Sequence, residues 1–418
     1  MPEHPGKIFL AVLSITQKFE HIFSANRIMK KPSYPRSKKA LGMKPFLAMD
    51  VLERAQELER QGRTIIHLEV GEPDFPTPEP VKMAAIQALN QDKTHYTHSM
   101  GLLELRQAVT DHYHRRYRVD ISPEQVLITS GTSPALLLVC AALLNPGDRL
   151  LLTDPGYACY ANFISFCDGI PDLVEVYEDN GFQYNPEALQ NRINPATRGI
   201  LINSPANPTG TLLAAERMQQ IAELGIPVIS DEIYHGLVYE GQAHSILEYT
   251  DRAFVLNGFS KLYAMTGWRL GYLIAPKAYI RTLQTIQQNF FIAASHFGQE
   301  AAIVALESVE VGQEVEKMKE IYNQRRQYML KRVRNMGLTV KTEPTGAFYI
   351  FANARNFCDN SYEFAFEILE KAGVGVTPGI DFGSNGEGFI RFTYANSMEN
   401  IREGMDRLEE FLRQRKKV

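Results

Sequence analysis

Cysteine is scarce in this chain of 418 residues, with only four. Cys140, Cys159, Cys167 and Cys358 form no CxxC pair and no metal-ligand spacing. That argues against a thiolate metal centre and a disulfide framework, and it fits reduced thiols in a cytoplasmic protein. Basic excess is also missing: the formal net charge is −4, which argues against nucleic acid as the main partner. No long apolar run is present. The stretch from Ile8 to Ile15 is too short to span a bilayer, and no small-residue cleavage site follows it, so neither membrane insertion nor secretion is expected. There is no internal repeat and no low-complexity tract. Residues 1–43, which include the basic, proline-containing KKPSYPRSKK, read as a poorly ordered leader.

What is present is the periodicity of a large α/β protein. Phe46 to Gln61 has apolar residues at helical spacing and stops at Gly62. TIIHLEV reads as a strand that runs into GEPDFPTP, where two proline-rich turns exclude helix. From Val126 short apolar strands alternate with helices through AFVLN, then LGYLIA follows. The pattern predicts a mostly parallel sheet covered on both faces, with ligands beyond the C-terminal strand ends. Ser130, Gly131, Thr132, Tyr157, Asn207, Asp231, Tyr234 and Lys261 fall at or just past those ends. Beyond Lys277 come a helix broken around FFIAASHFG and a long charged helix over about Val309–Met336. The strand-like stretches GLTVKT, AFYIFA, GVGVTPG and GFIRFTYA then form an α+β region. His112 and His114 lie two apart and cannot share a helix face, so they read as solvated helix residues, and no metal site is expected.

The chemistry concentrates in NGFSKLYAMTGWRLGY. A lysine just past a buried strand has a partly desolvated amine, which frees it as a nucleophile. The Ser260 hydroxyl and the Arg269 guanidinium suit a phosphate, as do the backbone N–H groups of Gly131 and Thr132 at a helix start. Lysine plus phosphate grip is what pyridoxal phosphate requires. The alternatives are a surface lysine, an ion-paired arginine and a plain helix cap. Tyr157 could stack on a flat ring or be a buried tyrosine. Asn203 and Asn207 in NSPANPTG could aim amides or serve the turn. Asp231 ends a buried strand, so its carboxylate needs a partner: a protonated pyridine nitrogen, an arginine or backbone donors. Tyr234 could donate to the ring oxygen of such a cofactor. Arg391, flanked by apolar residues in FIRFTY, could hold a carboxylate bidentately or sit in an internal salt bridge.

The motifs GEPDF, SGTSPAL, NSPANPTG, SDEIY, SKLYAMTGWRLGY and FIRFTYA occur in the order seen in class I/II pyridoxal-phosphate-dependent aminotransferases. From about Lys44 onward the chain resembles that family and its aspartate-aminotransferase-like branch, fold type I. The resemblance implies an α/β fold. A large cofactor domain with a mostly parallel seven-stranded sheet would occupy 75–308, and a smaller α+β domain 44–74 with 309–418. It implies pyridoxal 5'-phosphate carried by Lys261 as an internal aldimine, and ping-pong amino transfer from an L-amino acid to a 2-oxo acid. Lys261 would shuttle the α-proton and Asp231 would pair with the pyridine nitrogen. Asn207 and Tyr234 would bind the ring oxygen, and Tyr157 would stack on the ring. Gly131, Thr132, Ser260 and Arg269 would hold the phosphate, and Arg391 and Gly71 the substrate carboxylate. Tyr96 would reach the phosphate of a partner subunit, which implies a homodimer with shared sites.

There are departures from the family pattern. Gly258 stands where some members carry a phosphate-binding serine. Ser133 replaces a lysine that binds the side-chain carboxylate in some aspartate-using members, and Tyr157 replaces the tryptophan of strict aspartate enzymes. They point to a small or apolar amino donor with pyruvate or 2-oxoglutarate as acceptor. A C–S β-lyase of the same fold is the alternative activity.

Overall fold

The computed structural model describes residues 36–415. The chain divides into two units, Met1–Met43 and Lys44–Val418. In the first, the helix Lys38–Gly42 is capped by the Ser37 side chain, which accepts from the Ala40 N–H. For residues 1–35, the expected poor order and the reading of Ile8–Ile15 fall outside the described residues, while residues 36–43 of the leader carry this helix.

Among its described residues the second unit carries twelve strands: β1 (Ile66–His67), β2 (Val126–Thr129), β3 (Arg149–Asp154), β4 (Ile170–Glu175), β5 (Thr197–Asn203), β6 (Val228–Asp231), β7 (Ala253–Gly258), β8 (Gly271–Ile274), β9 (Tyr349–Asn353), β10 (Val374–Gly375), β11 (Thr377–Pro378) and β12 (Phe389–Thr393). Seven form one sheet in the order β2-β8-β7-β6-β5-β3-β4. Only β8 runs against its neighbours β2 and β7; the other neighbouring pairs are parallel. Except in the edge strand β4, alternate residues of the strands enter different cores. Ile128, Leu151, Ile202 and Val255 pack on one face. Leu127, Leu152, Leu201, Phe254 and Leu256 pack on the other. A strand's two-residue period divides its side chains in this way when both faces are covered. Two small sheets, β1-β10 and β11-β12-β9, come from the rest of the chain.

Some sequence expectations need correction. TIIHLEV yields only the two-residue β1. Leu68 donates to Gly375 O and accepts from Thr393 N–H, so the segment passes from one small sheet to the other. GLTVKT contributes a single bridge, Thr339 to Asn353, and GVGVTPG divides into β10 and β11. His112 is not a solvated histidine. Burial, with help from Arg116 and Arg115, pushes its imidazole down to about 4. His114 is exposed and bonds Asp120 at 2.7 Å. Among the described residues no helix is long and apolar enough to cross a membrane, and no metal-holding cluster occurs.

Phe254, fully buried in the interior strand β7, packs edge-on against Tyr279 at 5.0 Å. Phe254→Ala is expected to lower stability by about 3–5 kcal/mol, because the core around it can only partly collapse. The shift of the chemical denaturation midpoint measures this.

Candidate active site

The parallel register of β5, β6 and β7 sets the floor of the site. Asn203 lies opposite Asp231, and Asp231 opposite Leu256. The Asn203 amide donates to Asp231 O at 2.9 Å and its oxygen accepts from Asn207 N–H at 2.8 Å. Lys261 follows β7 by three residues. These ends border a cavity of about 220 Å³.

Of the residues singled out in the sequence, Gly71, Thr132, Tyr157 and Asn207 line this cavity. So do Asp231, Tyr234, Lys261 and Arg391. Gly131 and Arg269 stand beside Thr132: a Cβ on Gly131 (φ 106°) would lie 2.9 Å from Arg269 Nη2. This positive-φ glycine lets the arginine approach the start of the helix Thr132–Leu143. Ser260 precedes Lys261 and is partly buried. Tyr96 is 80% exposed and does not line the cavity of its own chain.

The Lys261 amine donates to Gly71 O at 2.6 Å. Burial, aided by Arg391 and Arg269, pushes it down to about 8, against the opposing pull of Glu72 and Asp231. Asp231 is buried, and burial pushes its carboxyl up to about 6. The donors that oppose this are Tyr160 Oη, at 2.7 Å from Oδ2, and Ile233 N–H, at 3.2 Å from Oδ1. Tyr157 meets Phe46 and Tyr160 edge-to-face, with centroids at 5.9 and 5.1 Å. The Tyr234 and Tyr349 hydroxyls share a 2.7 Å hydrogen bond.

Arg391 is 2% exposed. Its guanidinium lies 4.5 Å from the Tyr349 ring centroid and 5.0 Å from that of Phe382. Nη1 donates to Asn207 Oδ1 at 2.9 Å, and Nη2 donates to Thr377 Oγ1 at 3.1 Å and to the Glu69 carbonyl. The Nε–H has no partner, and none of the ion pairs among the described residues involves Arg391. A buried guanidinium with donors to spare is built to receive a carboxylate.

The residues fit a pyridoxal phosphate group. They offer a depressed lysine amine for the aldehyde, a buried carboxylate for the ring nitrogen, and aromatic walls for the ring. For the phosphate they offer a helix start beside an arginine. Residues 63–408 match the family model of aminotransferase class I and II. The chain belongs to the class I and II aminotransferases. It is therefore a pyridoxal-phosphate-dependent enzyme that transfers an amino group between an amino acid and a 2-oxo acid. It is 42% identical over 380 residues to the (5-formylfuran-3-yl)methyl phosphate transaminase of Methanocaldococcus jannaschii, covering 90% of this chain and 99% of that one. It is 39% identical to the aspartate aminotransferase of Pyrococcus horikoshii, covering 92% and 98%. Among solved structures, the Thermus thermophilus aspartate aminotransferase with maleate matches with a TM-score of 0.87 at 35% identity, covering 90% and 99%. These relatives are named for amino transfer, which favours that activity over the C–S β-lyase alternative.

Sequence reasoning missed Tyr160, Tyr349 and Glu69. Tyr160 follows Tyr157 by three residues, one helical turn, and that spacing was the available signal. Tyr349 and Glu69 sit in apolar strand segments, where nothing local distinguishes a cavity wall from a core.

The Lys261 direction gives a direct test. An amine attacks an aldehyde only when unprotonated, so in the cofactor-free protein reductive aldehyde labelling of Lys261 should rise through a midpoint near 8. A midpoint at the ordinary lysine value of 10.5 would contradict the burial argument. Labelling is read by peptide mass spectrometry.

Proposed function

We propose that this aminotransferase takes its amino group from a small or apolar L-amino acid and delivers it to pyruvate or 2-oxoglutarate. The observation that carries the reading is Arg391, a buried cation without a carboxylate partner among the described residues. The cavity supports the uncharged side chain. Lys261 and Arg391 are the only cationic side chains lining it among the described residues, and both have other duties; Ser133, Phe46 and Met49 supply neutral wall.

The bound cofactor supplies an aldehyde and an electron-withdrawing ring that make the substrate's α-C–H acidic. Lys261 carries the cofactor and serves as the base that removes and returns the α-proton. Asp231, held by Tyr160 and the Ile233 N–H, keeps a ring nitrogen protonated. Asn207 and Tyr234 would donate to the ring oxygen, and Tyr157 would stack on the ring. Gly131, Thr132, Ser260 and Arg269 grip the phosphate. Arg391 and the Gly71 backbone hold the α-carboxylate in both halves of the ping-pong cycle.

We assign the cofactor domain to 75–308, which contains the whole seven-stranded sheet, and the small domain to 44–74 with 309–418, which contains the two small sheets. The assembly we propose is a homodimer in which Tyr96 serves the partner's phosphate site. Supporting it, Tyr96 is 80% exposed, and Met83, Ile86 and Leu89 expose apolar surface along the helix Glu79–Asn90. The scarcity of cysteine, four residues with no CxxC pair, supports a cytoplasmic location.

Mixing the holoenzyme with single L-amino acids, without acceptor, should bleach the cofactor's long-wavelength absorbance with apolar donors and not with aspartate. Release of ammonia and pyruvate from β-substituted amino acids without bleaching would instead identify a lyase. Lys261→Ala should lower turnover by about a thousandfold or more while retaining some cofactor. Arg391→Ala should raise KM for both substrates by about 10- to 100-fold with a smaller effect on kcat. Sedimentation should give twice the chain mass, and Tyr96→Phe should weaken cofactor retention without changing that mass.

A further inference from the structure

Glu69 joins the cavity to a histidine outside it. Its side chain is fully buried. Carboxylate oxygen Oε1 accepts from His67 Nδ1 at 2.6 Å, and Oε2 has no hydrogen-bond partner. Space for that carboxylate is made by a missing side chain: a Cβ on Gly375, in the neighbouring strand β10, would lie 2.1 Å from Oε2. Such contact is far inside van der Waals distance, so only glycine is accommodated there.

The same residue anchors Arg391. Its backbone carbonyl accepts from Arg391 Nη2 and from Thr377 Oγ1, the latter at 3.1 Å, and Thr377 Oγ1 in turn accepts from Arg391 Nη2. Glu69 thus has its side chain fastened to His67 and its main chain fastened to the guanidinium. His67 lies outside the cavity wall. Its side chain is 30% exposed, and its Nε2 is 3.1 Å from Glu59 Oε1 on the helix Leu47–Arg60. The bond to Glu69, with Glu59 adding to it, pushes the His67 imidazole up to about 9. At neutral pH it is a cation that compensates the buried carboxylate, which would otherwise be costly to hold.

We propose that Glu69, locked by His67, is a positioning residue that sets the orientation of Arg391 for the α-carboxylates of both substrates. The inference rests on reading Arg391 as the carboxylate clamp. A guanidinium fork discriminates by direction as well as charge, so a displaced carbonyl anchor costs binding without touching the proton transfer at Lys261. Loss of either member of the pair should therefore act on substrate capture and not on the chemical step.

The test uses holoenzyme and three variants, Glu69→Gln, His67→Ala and the double variant, with Arg391→Ala as control. The probe is 3-phenylpropionate, a carboxylate with no amino group to transfer, titrated calorimetrically. KM and kcat for an amino donor and an oxo acid are measured in parallel. Each single variant should weaken probe binding and raise both KM values by about tenfold, with kcat within about twofold, since the carbonyl itself remains. The double variant should be no worse than the worse single one, because the two side chains act as one unit. His67→Ala guards against misfolding, since it changes a partly exposed side chain outside the cavity. Arg391→Ala weakening the probe while Glu69→Gln and His67→Ala leave it unchanged would overturn the positioning role alone. An unaffected probe in Arg391→Ala would overturn the clamp and this inference together. A kcat loss at unchanged KM in the single variants would also overturn it.

Discussion

The register of three parallel strands is the constraint on which the rest depends. β5, β6 and β7 pair so that Asn203 and Asp231 stand side by side and β7 ends three residues before Lys261. Because strand ends in a parallel sheet emerge on one edge, the amide and the carboxylate stand together there, and the short turn after β7 brings the Lys261 amine to the same edge. A one-residue slip would turn Asp231 to the opposite face, away from the Tyr160 hydroxyl that holds it. Cores on both faces of the sheet prevent that slip, since every strand residue has a side to belong to.

The site is assembled from groups that burial disfavours. Asp231 is raised, Lys261 is lowered, and Arg391 is enclosed between two aromatic rings. Each is held short of full compensation. Asp231 has a tyrosine and one backbone N–H, Lys261 one carbonyl, and Arg391 keeps an unused Nε–H. Partial compensation is what leaves these groups available to a cofactor nitrogen, an aldehyde and a carboxylate. The core supplies the stability that such an arrangement uses.

Much of this was legible in the chain. The alternation of strands and helices after Val126 carries the sheet, because a strand buried on both faces must be apolar throughout. Lys261 and Asp231 stood out as charges at or just past the ends of apolar strands, and Arg391 as one flanked by apolar residues, where a buried charge needs a partner. Tyr349 and Glu69 did not stand out, because the contacts that bring them to the site, with Tyr234 and with Arg391, come from segments more than a hundred residues away. His112 misled for the same reason: two histidines on a charged helix gave no sign that one of them packs inward.

By itself, the sequence determined the fold class, the family and, through the family, the cofactor. The fold class follows from the alternation of short apolar strands with helices, and the family and cofactor from six motifs that stand in the order of the class I and II aminotransferases. Only the tertiary structure decided which groups touch. It gave Asp231 to Tyr160, paired Tyr234 with Tyr349, set Arg391 on the Glu69 carbonyl and put Gly375 where the Glu69 carboxylate needs room. Those contacts join residues up to 322 positions apart. No local spacing encodes them, because chain closure over such distances is settled by how whole strands and helices pack.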